Sequence, residues 1–95
     1  MDLNKVLRST IRTGEVLMGS NRTIDSVNDK IAKLVIFSSN SPVNVRKAIE
    51  SEDVPVFEYP GTSGDLGSAC GKPFSIAALA VIDPGESEIL SLKGQ

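Results

Sequence analysis

Four consecutive apolar residues, Leu34 to Phe37, constrain the fold more than any other feature of this sequence. A strand with one face in water alternates apolar and polar side chains, whereas a strand covered on both faces is apolar throughout. The run therefore predicts a strand buried in a sheet that helices cover on both sides. A longer stretch of mostly small apolar residues, from Phe74 to Ile82, predicts a second such strand.

Before the first apolar run, the pattern predicts two helices with a short strand between them. An apolar stripe with i, i+3, i+4 spacing runs from Leu3 to Ile11, and Gly14 lies just past its end. Glu15 to Met18 predicts a strand. Gly19 then breaks the chain, and Ser20 or Asn21 is expected to cap the second helix.

After the first apolar run, the chain predicts a third helix and another strand. Ser41 as the cap, with Pro42 at the first helical position, is typical of a helix start. An acidic segment from Glu50 to Asp53 ends this helix. Val54 to Tyr59 predicts a strand, and Pro55 assigns it to a sheet edge or to the strand's start because proline cannot donate to a ladder.

The remaining elements complete an alternating pattern. Thr62 or Ser63 is expected to cap a fourth helix that runs to about Cys70 and ends at Gly71. The strand from Phe74 follows, and Glu86 to Leu92 predicts a short last helix. This alternation predicts an α/β fold, a three-layer α/β/α sandwich with a four-stranded mixed sheet and helices on both faces. Residues 1–95 are expected to form a single domain.

Composition argues against most enzyme chemistry. The chain contains no histidine and one cysteine, Cys70. These counts exclude the usual zinc sites, the Ser-His-Asp and Cys-His nucleophiles and a histidine general base. No two carboxylates are placed persuasively for acid–base work, so we expect no catalysis, no metal and no cofactor. Cys70 is expected to be a small buried residue rather than a reactive thiol.

The segment from Gly67 to Lys72 has glycines and a lysine, as a phosphate-binding loop does. Three residues separate its glycines where four are needed, Pro73 replaces the serine or threonine, and the segment closes a helix instead of opening one. We therefore expect no nucleotide there. Gly67 is expected to allow close packing inside the helix.

No apolar run approaches the roughly 18 residues that a membrane span needs. The first ten residues also lack the apolar core of a signal peptide. We therefore expect a cytoplasmic protein without a membrane partner.

Charge is divided unevenly along the chain. Residues 1–49 carry eight basic and four acidic side chains, a net charge of +4. Residues 50–95 carry two basic and eight acidic side chains, a net charge of −6. One half can therefore face a polyanion although the whole chain is acidic, and ordinary solvated charge is the alternative. Arg8 and Arg12 lie four residues apart and share one exposed face of the first helix.

The segment from Gly19 to Arg22 follows a strand and opens a helix. Amides at a helix start are unpaired, and the helix dipole favours an anion there. Asn21 can read a base edge, and Arg22 can fork onto a phosphate or a guanine. A plain helix cap is the alternative.

Two further loops carry candidate binding residues. Lys72, Pro73 and Phe74 combine a cation with a ring that can stack on an unpaired base, unless Phe74 is a core residue at the start of its strand. Asn40 follows a buried strand, and ligands of open α/β sheets bind outside the carboxyl ends of strands. Capping of the third helix is the alternative for Asn40.

Together these segments resemble a known family. The stretches TGEVLMGSNRTI, AKLVIFSSNSP, VPVFEYPGTSGDLGSACGKPF and ALAVIDPGES occur in this order. They are similar to the L30e family of large-subunit ribosomal proteins from archaea and eukaryotes, within the superfamily of kink-turn RNA-binding proteins. The similarity runs collinearly from about Leu3 to Leu92.

The resemblance implies a three-layer sandwich that binds ribosomal RNA at a sharply bent internal loop with sheared G·A pairs. It implies contacts to the G·A region from Gly19, Ser20, Asn21 and Arg22. It implies packing on bases splayed out of the bend by Gly71, Lys72, Pro73 and Phe74, with Asn40 nearby.

The implied partners are ribosomal RNA and other large-subunit components. The protein is expected to be a monomer outside the ribosome and to have no small-molecule substrate. A stand-alone kink-turn binder in RNA processing or regulation, and a protein-interaction domain that does not bind RNA, are the alternatives.

Two features depart from the family pattern. Asp25 stands four residues after Asn21, where relatives often carry lysine, and its carboxylate repels phosphate if it faces the RNA. The segment from Pro42 to Asp53 is also a few residues shorter than usual, which predicts a truncated third helix.

Overall fold

The structure, a computed structural model, describes residues 3–87 and residue 89. Helices and strands alternate through the described chain, as the sequence predicts. The helices are α1 (Leu3–Thr13), α2 (Ser20–Asn28), α3 (Val43–Glu50) and α4 (Ser63–Ala69). The strands are β1 (Glu15–Met18), β2 (Leu34–Phe37), β3 (Val56–Glu58) and β4 (Ala78–Asp83).

The strands form one mixed sheet in the order β1-β4-β2-β3. Strand β4 runs antiparallel to both of its neighbours, and β3 runs parallel to β2. The two apolar runs therefore occupy the two central positions. β3 lies at an edge, where Pro55 just before it accepts a 3.0 Å hydrogen bond from the amide of Val35 and needs no donor of its own.

The two faces of the sheet carry separate clusters of apolar side chains, which confirms the predicted three-layer sandwich. Leu34 and Ile36 of β2 pack with Leu7 of α1 and Leu66 of α4. On the opposite face, Val35 and Phe37 of β2 pack with three side chains from α2 and α3, namely Val27, Val45 and Ile49. Because successive side chains of a strand point to opposite faces, every residue of β2 is buried, as its unbroken apolar run predicts.

Helix α2 lies close to β4 because both present small side chains. Ala78 and Ala80 of β4 are fully buried, and so is Thr23 of α2. The Thr23 hydroxyl donates to the carbonyl oxygen of Gly19 at 2.8 Å, and the Ser26 hydroxyl donates to that of Thr23 at 2.8 Å. These hydroxyl groups can be buried without losing hydrogen bonds because each has a partner within the helix.

Strand β4 starts at Ala78, so the prediction that it starts at Phe74 was wrong. The preceding segment crosses α4, and the amide of Ile76 donates to the carbonyl oxygen of Ser63 at 2.9 Å. A Cβ added to Gly67 would lie 1.9 Å from the carbonyl oxygen of Phe74. The prediction that Gly67 permits close packing is confirmed, and this contact holds Phe74 against α4 and outside the sheet.

Three other predicted boundaries shift. Pro42 is the N-cap of α3, with a ψ of 141°, so the prediction of Ser41 as cap was wrong by one residue. β3 is shorter than the predicted span from Val54 to Tyr59. Of the helix predicted over 86–92, residues 86 and 87 form a turn, and most of the remainder lies outside the described residues. Within residues 3–87, no helix is long and apolar enough to cross a bilayer.

Cys70 is buried at the end of α4, as predicted. Burial raises the pKa of its thiol from 9.0 to about 11, and the charge of Lys72 lowers it in part. The thiol is therefore protonated, and weakly nucleophilic, at neutral pH.

Substitution Gly67→Ala should lower the free energy of unfolding by about 3 kcal/mol, because the methyl group overlaps the backbone at Phe74. The matched control is Gly64→Ala in the same helix, where the nearest atom lies 3.7 Å away. That control should keep or raise stability by up to about 1 kcal/mol, since alanine favours helix. Urea unfolding measures both variants, and equal effects would contradict the close approach at Gly67.

The buried thiol also predicts a pH dependence. The raised pKa of Cys70 means that the unfolded chain loses the thiol proton near pH 9 while the folded chain keeps it to about pH 11. Stability from the neutral thiol is therefore complete below pH 9 and is lost as the pH rises through 11. Urea unfolding at pH 8 and pH 10.5 should show a larger alkaline loss for the native chain than for Cys70→Ala. Equal alkaline losses of stability in the native chain and in Cys70→Ala would contradict a raised pKa of Cys70 in the folded protein.

Candidate nucleic-acid interface

The register of the sheet brings four loops to one end of the molecule. Met18, the last residue of β1, pairs with Leu79 near the start of β4. Phe37, the last residue of β2, pairs with Ala78 on one side and with Glu58 on the other. The carboxyl ends of β1, β2 and β3 therefore meet the amino end of β4. We call this end, comprising residues 19–22, 38–41, 59–63 and 74–78, the loop end.

Backbone hydrogen bonds join these loops to one another. The amide of Gly19 donates to the carbonyl oxygen of Ala78 at 2.9 Å, and the amide of Ser38 donates to that of Ala77 at 2.9 Å. The amide of Ser39 donates to the carbonyl oxygen of Gly61 at 2.8 Å. The loops are thus held by the ends of the strands, so the backbone positions from which their side chains project are fixed.

Helix α2 begins directly at the loop end, without a side-chain cap. Gly19 is the N-cap residue, so the prediction that Ser20 or Asn21 caps this helix was wrong. The reason is the φ of 109° at Gly19, which turns the strand straight into the helix and which glycine adopts without strain. The first-turn amides consequently lack intrahelical acceptors and carry the positive end of the helix dipole.

Asn21 and Arg22 occupy the exposed side of this first turn. Neither side chain makes an ion pair or a hydrogen bond with any residue that the structure describes. An uncapped helix start with a free amide side chain and a free guanidinium can bind an anion, a base edge or both. Asp25 is exposed one helical turn beyond Asn21, so a negative charge lies beside this site.

The segment after α4 ends in an exposed aromatic ring. Gly71 has a φ of 76°, and the amides of Gly71 and Lys72 donate back to the carbonyl oxygens of Ser68 and Gly67, both at 2.9 Å. These two bonds form a Schellman motif, which closes the helix. Phe74 follows and is 55% exposed, so it is not a core residue. Lys72 and Pro73 line one shallow depression with it.

Asn40 is tied to α4, so the expectation that it caps α3 was wrong. Its side-chain carbonyl oxygen accepts from the Ser38 hydroxyl at 2.9 Å and from the Ser63 amide at 2.8 Å. Ser63 is the first residue of α4, so this bond satisfies an amide that the helix leaves unpaired. The amide nitrogen of Asn40 has no partner among the described residues and is free to donate outward.

Arg46 supports the same loop, a role that the sequence did not predict. Its Nε donates to the Ser41 hydroxyl at 2.9 Å, and its Nη2 donates to the carbonyl oxygen of Ser38 at 3.1 Å. The guanidinium also pairs with Glu58 and lies 5.5 Å from the centre of the Phe37 ring. Because Arg46 and Glu58 come from separate elements, no local pattern reveals this pairing. The cation of Arg46 holds the Asn40 loop and is not free for a ligand.

The loop end therefore combines four kinds of binding group. It offers helix-start amides and a free Arg22, exposed amide side chains at positions 21 and 40, and an exposed ring at position 74. The sequence-predicted residues that follow β1 and β2 lie with Phe74 around the start of β4, and Gly71 to Pro73 lead up to that ring from α4. No groups of three or more potential metal-ligating side chains lie together in the described part of the chain.

Comparisons with known proteins agree with this architecture. Residues 1–91 match the model of the ribosomal protein L7Ae/L30e/S12e/Gadd45 family. The chain is 46% identical over 91 residues to large ribosomal subunit protein eL30 of Methanosarcina mazei, covering 96% of this chain and 88% of that protein. It is 49% identical over 92 residues to the eL30 of Methanothrix thermoacetophila, covering 97% and 89%.

A solved structure is also similar. A protein of unknown function from Bacillus halodurans superposes with a TM-score of 0.74 at 26% sequence identity, covering 95% of this chain and 93% of that one. The sequence match spans both halves of the chain and every element of the sandwich. This chain therefore belongs to the ribosomal protein L7Ae/L30e/S12e/Gadd45 family.

Proposed function

We propose that this chain is a structural protein of the large ribosomal subunit that binds ribosomal RNA at a kink-turn and stabilises the bent RNA. The observation that carries the proposal is the meeting of three predicted binding segments around one end of the sheet. The names of the relatives support assignment to the large subunit. The protein then works on cytoplasmic ribosomes, beside other large-subunit components.

The chemistry of the loop end suits a kinked RNA better than a regular duplex. A-form RNA hides its base edges in a deep, narrow major groove, whereas a sharp bend exposes base edges and unstacked bases. The exposed amide of Asn21 can both donate to and accept from the edges of the G·A pairs. The amides that start α2, with Arg22, suit the neighbouring backbone phosphates.

Phe74 suits an unpaired base. Its ring is more than half exposed and is held at the surface by the contact between the backbone at Phe74 and Gly67. A base splayed out of the bend can stack on this ring, and such stacking contributes about 1–3 kcal/mol. Lys72 beside it supplies a cation for the adjoining backbone.

Stabilisation of the bend follows from linkage. A protein that binds only the kinked form shifts the RNA toward it by its difference in affinity for the two forms. No bond changes in this process, so it requires no catalysis, cofactor or small-molecule substrate. We also propose that the protein acts as a monomer outside the ribosome. The alternative function, a stand-alone kink-turn binder in RNA processing or regulation, predicts that the protein does not co-sediment with large ribosomal subunits.

The first test is a titration of the protein against a short kink-turn RNA and against the same RNA with Watson–Crick pairs in place of the G·A pairs. The native chain should bind only the first RNA tightly, and added salt should weaken that binding. Asn21→Ala should weaken it by about 10- to 100-fold, the usual cost of a lost base contact.

The matched control is Asn28→Ala, which removes another exposed asparagine at the far end of α2. This control should bind like the native chain. Equal, weak binding of both RNAs by the native chain would contradict the proposed function and would direct attention to protein partners.

Asn40 separates a structural role from a binding role. Asn40→Ala removes the acceptor of the Ser63 amide and should lower stability by about 1–2 kcal/mol. Asn40→Asp keeps both acceptor bonds and adds a negative charge that the start of α4 favours, so it should keep stability. Both variants lose the outward amide donor, and both should bind the kink-turn RNA more weakly.

Thermal unfolding and the same RNA titration measure both variants. If Asn40→Asp binds the kink-turn RNA as tightly as the native chain, Asn40 serves only to join the loop to α4.

A further inference from the structure

Helix α1 carries basic side chains that the loop end does not use. Lys5, Arg8 and Arg12 are exposed, and residues 3–13 contain no acidic side chain. In a chain with a net charge of −2, a helix with only positive charges is unusual. Its buried side carries Leu7, which packs against β2, and Thr10, which hydrogen-bonds Ser87, so the basic side faces away from the core.

The two arginines of α1 are available to a ligand. Four residues separate Arg8 from Arg12, so they lie one above the other along the helix, about 6 Å apart in rise. Neither guanidinium makes an ion pair or a hydrogen bond with a residue that the structure describes. By contrast, Arg46 is fully engaged by Ser41, Ser38 and Glu58.

A continuous groove connects α1 with the loop end. A depression lined by Arg8 and Arg12 adjoins a second one between α1 and α4, and the two share Asn4 and Arg8. The second depression adjoins a third, and those two share Ser68. The third is lined by Lys72 and Phe74 of the candidate nucleic-acid interface. The surface from the exposed ring to Arg12 is thus one track across α4 and along α1.

The walls of this track are mostly polar, and its positive charges without a partner among the described residues are those of Arg8, Arg12 and Lys72. Asp65 is the carboxylate that lines it, and one oxygen of Asp65 already accepts from the amide of Thr62 at 3.0 Å in the capping box of α4. Apart from the Phe74 ring at one end, the groove is lined mainly by polar and charged groups, which do not suit a hydrophobic peptide. Two neighbouring guanidinium groups and one ammonium group along a polar groove suit the phosphates of an RNA backbone.

We propose that Arg8 and Arg12 of α1, together with the groove across α4, form a second RNA-binding surface, which holds the sugar–phosphate backbone of RNA that extends beyond the kink-turn. This surface rests on the proposed function only in taking RNA as the partner. It reads no sequence, because arginine contacts to phosphate position an RNA without reading its bases. It gives the protein a second point of attachment, so that one stem of the bent RNA is held along α1 while the bend is held at the loop end.

The test compares three kinds of RNA: a minimal kink-turn, two versions of that kink-turn with one or the other stem lengthened by a helical turn, and each lengthened stem alone. The native chain is compared with Arg8→Gln/Arg12→Gln. The control Lys33→Gln/Lys47→Gln removes the same charge from exposed residues outside the groove. Affinity is measured by fluorescence anisotropy between 50 and 300 mM salt, and circular dichroism verifies that each variant is folded.

The arginine variant should bind the lengthened kink-turn about 10-fold or more weakly than the native chain, with a salt slope smaller by about 1–2, and should bind the minimal kink-turn almost normally. The lysine control should match the native chain. The proposal is overturned if neither lengthened stem increases the affinity of the native chain. It is also overturned if the arginine and lysine variants lose the same affinity for the lengthened kink-turn. Both outcomes count against it even where the minimal kink-turn binds tightly. A different outcome is that the native chain binds the minimal kink-turn no more tightly than the same RNA with Watson–Crick pairs, while the arginine variant still loses affinity for the lengthened stem. In that case the second surface stands and the proposed function fails.

Discussion

The placement of β4 between β1 and β2 is the constraint on which the other features depend. Because β4 runs antiparallel to both neighbours, its amino end meets the carboxyl ends of β1 and β2. The parallel pairing of β3 with β2 adds a third carboxyl end to the same edge. Had β4 run the other way, the segment with Phe74 would enter the sheet at the opposite end from Asn21 and Asn40. A composite interface at one end is thus a consequence of strand order and direction.

The composition of β4 makes this position possible. A central strand must be buried on both faces, and β4 meets that need with Leu79 and Val81 toward α1 and α4 and with alanines toward α2. The alanines let α2 approach closely, which in turn fixes where its uncapped first turn projects. Larger residues at Ala78 or Ala80 would move α2 away from the sheet and displace Asn21 and Arg22 with it. Packing at the core therefore determines geometry at the surface.

Local signals in the sequence predicted the elements well, and the errors come from backbone conformation at single residues and from contacts between elements. The apolar run of β2, the Thr62 cap with Asp65 three residues later and the Gly71 stop are local patterns, and the structure has each of them. The start of β4 was wrong because Phe74 is held outside the sheet by a glycine in α4, seven residues before it.

The roles of individual side chains depend on contacts between distant residues, which the spacing of residues in the sequence does not predict. The acceptor role of Asn40 joins two elements 23 residues apart, and the ion pair of Arg46 joins residues 12 apart. Which residues cluster could therefore be anticipated from the strand ends, whereas which atoms remain free could not. The RNA contacts themselves stay predictions, since they concern groups that point away from the molecule.

The acidic net charge of the chain is compatible with the proposed RNA binding because part of the acidic charge lies away from the loop end. Helices α2 and α3 both start at the loop end and carry their C-termini to the opposite end. Glu52 and Asp53 line a depression there with Lys30. The free arginines lie at the start of α2 and along α1 instead. A molecule with such a charge distribution turns its basic surfaces toward a polyanion and its acidic end away, so long-range electrostatics orients it before contact. Two of the described carboxylates are exceptions: Asp25 lies one helical turn from Asn21, and Asp65 lines the groove between α1 and α4. In the proposed complex, the charge of Asp25 weakens attraction to the G·A region, so phosphate contacts elsewhere on the protein must supply a larger share of the affinity.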